Sequence, residues 1–184
     1  MGRPSTLPSV RVIAGSCRGR LLRAPVGAAI RPTSDRVREA MFDVLCSLME
    51  VADSHVADLF AGTGALGIEA LSRGATRAYF VDADPACLAA ARANLKPLQL
   101  PGEAQFVHAS LPDWRVSAHV DLVIADPPYG PLDVDRLLEG IDAKRALIEN
   151  DRYVDAPEGW EVAKTKRYGT TLVTMLEPSP PEGP

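Results

Sequence analysis

Asp126-Pro127-Pro128-Tyr129 carries the most specific chemistry in this 184-residue chain. Two prolines fix φ and remove two N–H groups, so the segment presents acceptors: the Asp126 carboxylate and the Pro127 carbonyl. Two acceptors without a donor suit an NH2 group, which has two hydrogens to give. Bonding both draws the nitrogen lone pair out of conjugation with a ring and aims it at an electrophile. Tyr129 adds an aromatic face for a base to stack on, worth about 1–3 kcal/mol in single-strand binders. The chemistry indicated is group transfer to an exocyclic amine of a base. A plain loop with a turn-forming aspartate is the competing reading. The buried apolar run before it and a glycine-rich loop upstream weigh against that.

The upstream loop is Asp58-Leu59-Phe60-Ala61-Gly62-Thr63-Gly64-Ala65-Leu66-Gly67, followed by Asp82-Ala83-Asp84 at the end of the next apolar run. Glycines let backbone approach a ligand, and an acid after the second strand accepts hydrogen bonds from ribose hydroxyls. A dinucleotide enzyme shows the same spacing, so an NAD-dependent oxidoreductase remains an alternative of a different class. Asp58 tips the balance. A carboxylate there faces a diphosphate unfavourably, yet suits the amino group and sulfonium of S-adenosylmethionine. No histidine or Tyr-x-x-x-Lys set for hydride chemistry accompanies the glycines.

Charge is distributed unevenly. Residues 1–38 hold eight arginines (Arg3, Arg11, Arg18, Arg20, Arg23, Arg31, Arg36, Arg38) against Asp35 alone, so a basic arm joins an acidic body in a chain of net charge −4. Arginine suits bidentate phosphate contacts better than lysine. Alternation with apolar and glycine residues from Val10 to Ala24 reads as a folded hairpin, and RNA or DNA contact is expected there. Cys17, Cys46 and Cys87 lack any CxxC pair, and His55, His108 and His119 are scattered. Reduced thiols, no disulfide framework and no metal site are expected. No apolar run reaches membrane-span length and no secretory signal opens the chain, so a cytoplasmic enzyme is expected.

These loops need elements to carry them. Val37, Ala40, Met41, Val44, Leu45 and Leu48 form one helical stripe, opened by Thr33 or Ser34 as cap. From residue 55 the chain alternates. Strands are expected at 56–60, 77–81, 105–108, 120–125 and 146–149, with helices at 66–73, 86–95 and 133–140. Residues 160–163 and 170–176 read as a closing antiparallel pair. Alternation implies an α/β, mostly parallel, doubly wound sheet. Ligands then sit at strand carboxyl ends, where both loops fall. The expected organisation is an arginine-rich N-terminal β-hairpin extension at 1–31, a catalytic domain at 32–177 and a disordered tail at 178–184.

The ordered set of segments resembles the RsmD family, bacterial 16S ribosomal RNA (guanine-N2)-methyltransferases named for guanine 966. The glycine loop and Asp126–Tyr129 carry the resemblance together with Arg11-Val12-Ile13-Ala14-Gly15, Arg18-Gly19-Arg20, Arg31-Pro32-Thr33-Ser34-Asp35-Arg36-Val37-Arg38-Glu39-Ala40-Met41-Phe42, Phe80-Val81-Asp82-Ala83-Asp84 and Arg167-Tyr168-Gly169-Thr170-Thr171. It spans roughly residues 10 to 176. The segments 131–145 and 150–157 are shorter than the family leads one to expect. The resemblance implies a Rossmann-like class I methyltransferase using S-adenosylmethionine. Asp58, Phe60, Ala61, Gly62, Thr63 and Gly64 would line the methionine side, Asp82 and Ala83 the ribose, and Ala109 and Ser110 the adenine. Asp126, Pro127, Pro128 and Tyr129 would hold the guanine amine, and Arg11, Arg18, Arg20, Arg31, Thr33, Arg36 and Arg38 the RNA. The implied partner is 16S ribosomal RNA, within an assembled or assembling small subunit, with the enzyme a monomer. A DNA adenine-N6 methyltransferase shares Asp-Pro-Pro-Tyr, though it usually brings a recognition domain for which this length has no room. A protein glutamine methyltransferase also methylates a planar NH2.

Overall fold

The computed structural model describes residues 10–24 and 35–180. A two-stranded ladder, β1 (Val10–Arg11) with β2 (Leu21–Leu22), precedes helix α1 (Asp35–Cys46). The main sheet takes β3 (His55–Leu59), β4 (Arg77–Asp82), β5 (Glu103–His108), β6 (Val116–Ala125), β7 (Ile141–Asn150), β8 (Trp160–Tyr168) and β9 (Thr171–Pro178). Helices α2 (Ala65–Ser72), α3 (Pro85–Leu95) and α4 (Val134–Leu138) connect them.

Strand order is β5-β4-β3-β6-β7-β9-β8. The first five strands are parallel, and β9 lies antiparallel between β7 and β8. The order turns between β3 and β6: the chain first builds outward through β4 and β5, then returns to place β6 on the other side of β3. That switch opens a crevice at the carboxyl ends of β3 and β6.

Local chemistry explains the elements. β3 and the second half of β6 are buried on both faces, as parallel strands between layers require. Asp84 caps α3, its carboxylate accepting the Ala86 N–H at 2.8 Å, with Pro85 at the first helical position. α2 starts from Gly64, whose φ of 76° is left-handed. A Cβ there would lie 2.8 Å from that of Ala91 on α3, so only glycine lets the loop close onto that helix.

The sheet separates two apolar layers. Met41, Phe42, Leu45, Ile68, Leu71, Phe80 and Leu147 pack on the face covered by α1, α2 and α3. Leu59, Val81, Val123, Leu137 and Ile148 pack on the other, under the short α4.

Several boundaries differ from those expected. β7 begins at Ile141, not near 146, because α4 is only five residues long and the strand takes up the rest of the segment. β8 extends to Tyr168, and Pro178 still pairs with Trp160, so the sheet reaches into the expected tail. Residues 181–184 and the expected cap at Thr33 or Ser34 lie outside the described residues. The hairpin continues past its two short strands through the Val12 N–H to the Arg20 carbonyl (2.9 Å) and the Gly19 N–H to the Val12 carbonyl (2.8 Å). Its turn is also held against α2. Glu69 accepts the N–H groups of Ile13 (2.7 Å) and Ala14 (2.9 Å), and Ser72 Oγ accepts that of Cys17 (2.9 Å). Gly15, at φ 78°, passes so close to α2 that a Cβ would stand 1.8 Å from the Ser72 carbonyl oxygen.

Candidate active site

Three loops meet at the carboxyl ends of adjacent parallel strands. The glycine loop follows β3, Asp82-Ala83 closes β4, and Ala109-Ser110 follows β5. Asp82 organises them. Its Oδ2 accepts the Gly62 N–H and its Oδ1 that of Asp84, both at 2.8 Å, while its carbonyl accepts the Ala109 N–H at 3.1 Å. Each carboxylate oxygen keeps a lone pair for a further donor. Phe60 sits at φ 63°, a left-handed conformation costly for an aromatic residue, which turns the chain sharply out of β3. All ten expected cofactor residues therefore lie along one rim of the crevice.

Asp58 is the most unusual of them. It is 1% exposed, and its Oδ2 accepts the Gly67 N–H at 2.8 Å, whereas Oδ1 is buried with no hydrogen-bond partner. Burial drives its pKa up to about 8, partly offset by the Gly67 hydrogen bond and assisted by the nearby charge of Asp82. A buried carboxyl with an open acceptor is what a cationic ligand needs. The residues thus fit the ammonium and sulfonium of S-adenosylmethionine.

Asp126 follows the neighbouring strand β6, one residue beyond the Ala125↔Ile148 pairing with β7. Its pKa is pushed well above the usual carboxylate range, first by burial, then by the hydrogen bond and charge of Glu149 and the charge of Asp58, against the pull of Arg38. Pro127 is buried, Pro128 exposed, and Tyr129 40% exposed, leaving ring surface open to solvent. The Tyr129 hydroxyl is fixed, donating to Glu149 Oε1 and lying 3.0 Å from both that atom and Thr171 Oγ1.

The arginines divide. Arg11, Arg18, Arg20 and Arg36 are exposed, as a phosphate-gripping role requires. Arg31 and Thr33 lie outside the described residues. Arg38 corrects the expectation: it is 1% exposed, and one of its nitrogens donates to the Arg11 carbonyl (2.6 Å) and to Asp35 (2.8 Å). Burial lowers its pKa, against the neighbouring charges of Asp35, Glu69 and Asp126. It is an internal cation under the site, out of reach of phosphate. Its place was readable, since it precedes Met41, Phe42 and Leu45 by three, four and seven residues, the spacing of one helix face.

Sequence reasoning missed Glu149, Glu69, Ser72 and Asn94. Asn94 of α3 is buried and ties two regions together. Its amide donates to the carbonyls of Thr63 in the glycine loop and Arg23 at the end of the arm, and accepts the Arg23 N–H, each at 2.9 Å. The available signal for Glu149 was an acid closing an apolar run, Ala146-Leu147-Ile148-Glu149.

The sheet order, the glycine loop and the carboxyl groups at the switch define a class I S-adenosylmethionine-dependent methyltransferase. Residues 10–177 match the model of the family described as "Conserved hypothetical protein 95". Ribosomal RNA small subunit methyltransferase D of Escherichia coli K12 is 36% identical over 180 residues, covering 91% of this chain and 89% of that protein. Its Haemophilus influenzae namesake is 34% identical, with 95% and 96% covered. The solved yhhF protein of Escherichia coli superposes with a TM-score of 0.77 at 32% identity, covering 93% of this chain and 98% of its own. The chain belongs to this family, that of the RsmD methyltransferases.

Proposed function

We propose that this enzyme transfers the methyl group of S-adenosylmethionine to the N2 amine of a guanine in 16S ribosomal RNA, in the cytoplasm, acting as a monomer on the small subunit or its precursor. The observation that carries the reading is the pair of carboxyl sites at one switch point. Asp58 keeps an open acceptor for a cationic donor, and Asp126 stands beside it with the acceptors an NH2 group needs. Relatives of similar length bearing the small-subunit methyltransferase name supply the substrate class.

The reaction is an in-line displacement. The amine nitrogen attacks the methyl carbon, and sulfur leaves with the electron pair as a neutral thioether. Positioning and electrostatics do the work. Asp126 and the Pro127 carbonyl orient the amine, and the open face of Tyr129 stacks the base. The guanine has to be unpaired or extruded to bring N2 to the site. The exposed arginines of the arm would then hold phosphates around it, alongside Arg31 and Thr33.

The test is methyl transfer from labelled S-adenosylmethionine to small subunits lacking their modifications, beside naked 16S RNA and DNA. Labelled N2-methylguanine in RNA, lost in Asp126→Ala, is the expected result. Label in DNA adenine would overturn the substrate, and label in a ribosomal protein would favour a glutamine acceptor.

A further inference from the structure

Glu149 is the one buried acid on the crevice side of β7, and the substrate-binding scheme above gives it no task. The parallel pairing of β6 with β7 sets it alongside Asp126. It is 3% exposed and accepts the Tyr129 hydroxyl hydrogen bond at 3.0 Å; it and Asp126 each follow the Ala125↔Ile148 pair at neighbouring strand ends, and its hydrogen bond and charge help raise the Asp126 pKa. Two carboxyl groups can bond to each other only when at least one holds a proton. The charged groups facing the pair are Arg38 from α1 and Asp58 from β3. Tyr129 and Thr171 contribute hydroxyls. Arg38 divides its charge among Asp35, Glu69 and Asp126, so it does not neutralise both acids of the pair, and a shared proton does.

We propose that Glu149 is a positioning residue that holds one proton jointly with Asp126, keeping the Asp126 acceptor turned to the amine and Tyr129 pinned where the base stacks. This rests on the amine-methylating reading above. In the resting site Asp126, whose pKa is raised, holds the proton and donates it to Glu149, which also accepts from Tyr129. When the N–C bond forms and the C–S bond breaks, the product nitrogen carries one proton too many. That proton passes to Asp126 as Asp126 gives its own to Glu149, the pair then holds two, and one goes to water as product leaves. The positive charge is thus not left in a dry site.

Glu149→Gln separates the proton from the shape, because the amide N–H can donate to Asp126 and the amide oxygen can accept from Tyr129. In this variant kcat near neutral pH falls by much less than in Glu149→Ala, because the side-chain contacts are kept. The alkaline fall in kcat, where the wild-type pair gives up its last proton and the two carboxylates repel, is gone. Glu149→Ala loses about 10²-fold in kcat, the scale of a lost preorganised partner, with calorimetric affinity for S-adenosylmethionine unchanged. Infrared difference spectra of wild type minus Glu149→Gln, taken with S-adenosylmethionine bound and no RNA, show a neutral carboxyl stretch at neutral pH. An alkaline limb retained in Glu149→Gln, full kcat in Glu149→Ala, or no carboxyl difference band overturns the shared proton. Wild-type enzyme that leaves guanine unmethylated refutes the proposed substrate instead, and the infrared comparison still decides the proton.

Discussion

The glycine loop and the Asp126 loop stand at adjacent strand ends and treat their carboxyl groups in opposite ways. Asp58 is held by a single backbone N–H and keeps one oxygen without a partner. Asp126 is set among Glu149, Tyr129 and the charge of Arg38. The first site is electrostatically incomplete until a cation arrives. The second is assembled beforehand and needs only the amine. A binding carboxylate is made by leaving it short of partners, and an orienting one by fixing its surroundings from several sides.

Removing Asp126 tests that contrast most severely. Asp126→Ala is expected to cost on the order of 10²–10³ in kcat, while titration calorimetry finds cofactor affinity unchanged. An equal fall in both would show that the two loops act as one.

Asp58→Asn should reverse the pattern, weakening cofactor binding roughly 10- to 100-fold, the value of a hydrogen bond to a charged group. It should also remove a pH dependence. With its pKa near 8, the folded free protein holds a proton that the cationic cofactor expels. Wild-type affinity therefore rises with pH until about 8 and then levels, and the variant stays flat. Stability runs the other way. Between the ordinary carboxylate range and about 8 the folded state binds a proton the unfolded chain has released, so wild-type stability falls as pH rises across that window. Cofactor-free Asp58→Asn should melt higher than wild type at the alkaline end, measured by calorimetry.

Gly15→Ala probes the arm alone. Its Cβ would collide with the Ser72 carbonyl, so the arm should shift off α2 and RNA affinity should fall about tenfold, an energy of about 1–2 kcal/mol, with cofactor affinity preserved. The smallest effect is expected from Arg18→Ala or Arg20→Ala, a few-fold loss in RNA binding. Each should lower the slope of log affinity against log salt by about one unit. A flat salt response in wild type would remove the arm from RNA binding altogether.

The alternation of strands and helices was legible because most parallel strands contain a short apolar run and several helices carry a start or stop signal, such as Asp84-Pro85 or Gly74. Both loops were legible for the same reason: their residues are contiguous. What could not be read is contact between distant segments. Glu69 and Ser72 hold backbone more than fifty residues earlier, Asn94 reaches both Thr63 and Arg23, and Glu149 acts on Tyr129 across the end of the sheet. Arg38 shows the limit from the other side. Composition grouped it with the arm's arginines, although its helical spacing already set it facing inward.

The insertion of β9 between β7 and β8 also has a bearing on synthesis. Among the described residues β8 pairs only with β9, and Thr171, which meets Tyr129, opens β9, the last of the described strands to be made. Domains fold from the N-terminal side as they are synthesised. By the time β9 is complete, the strands that carry the cofactor loops have long been available to pair. A chain that ends before Thr171 lacks this contact to Tyr129 and is expected to leave RNA unmodified.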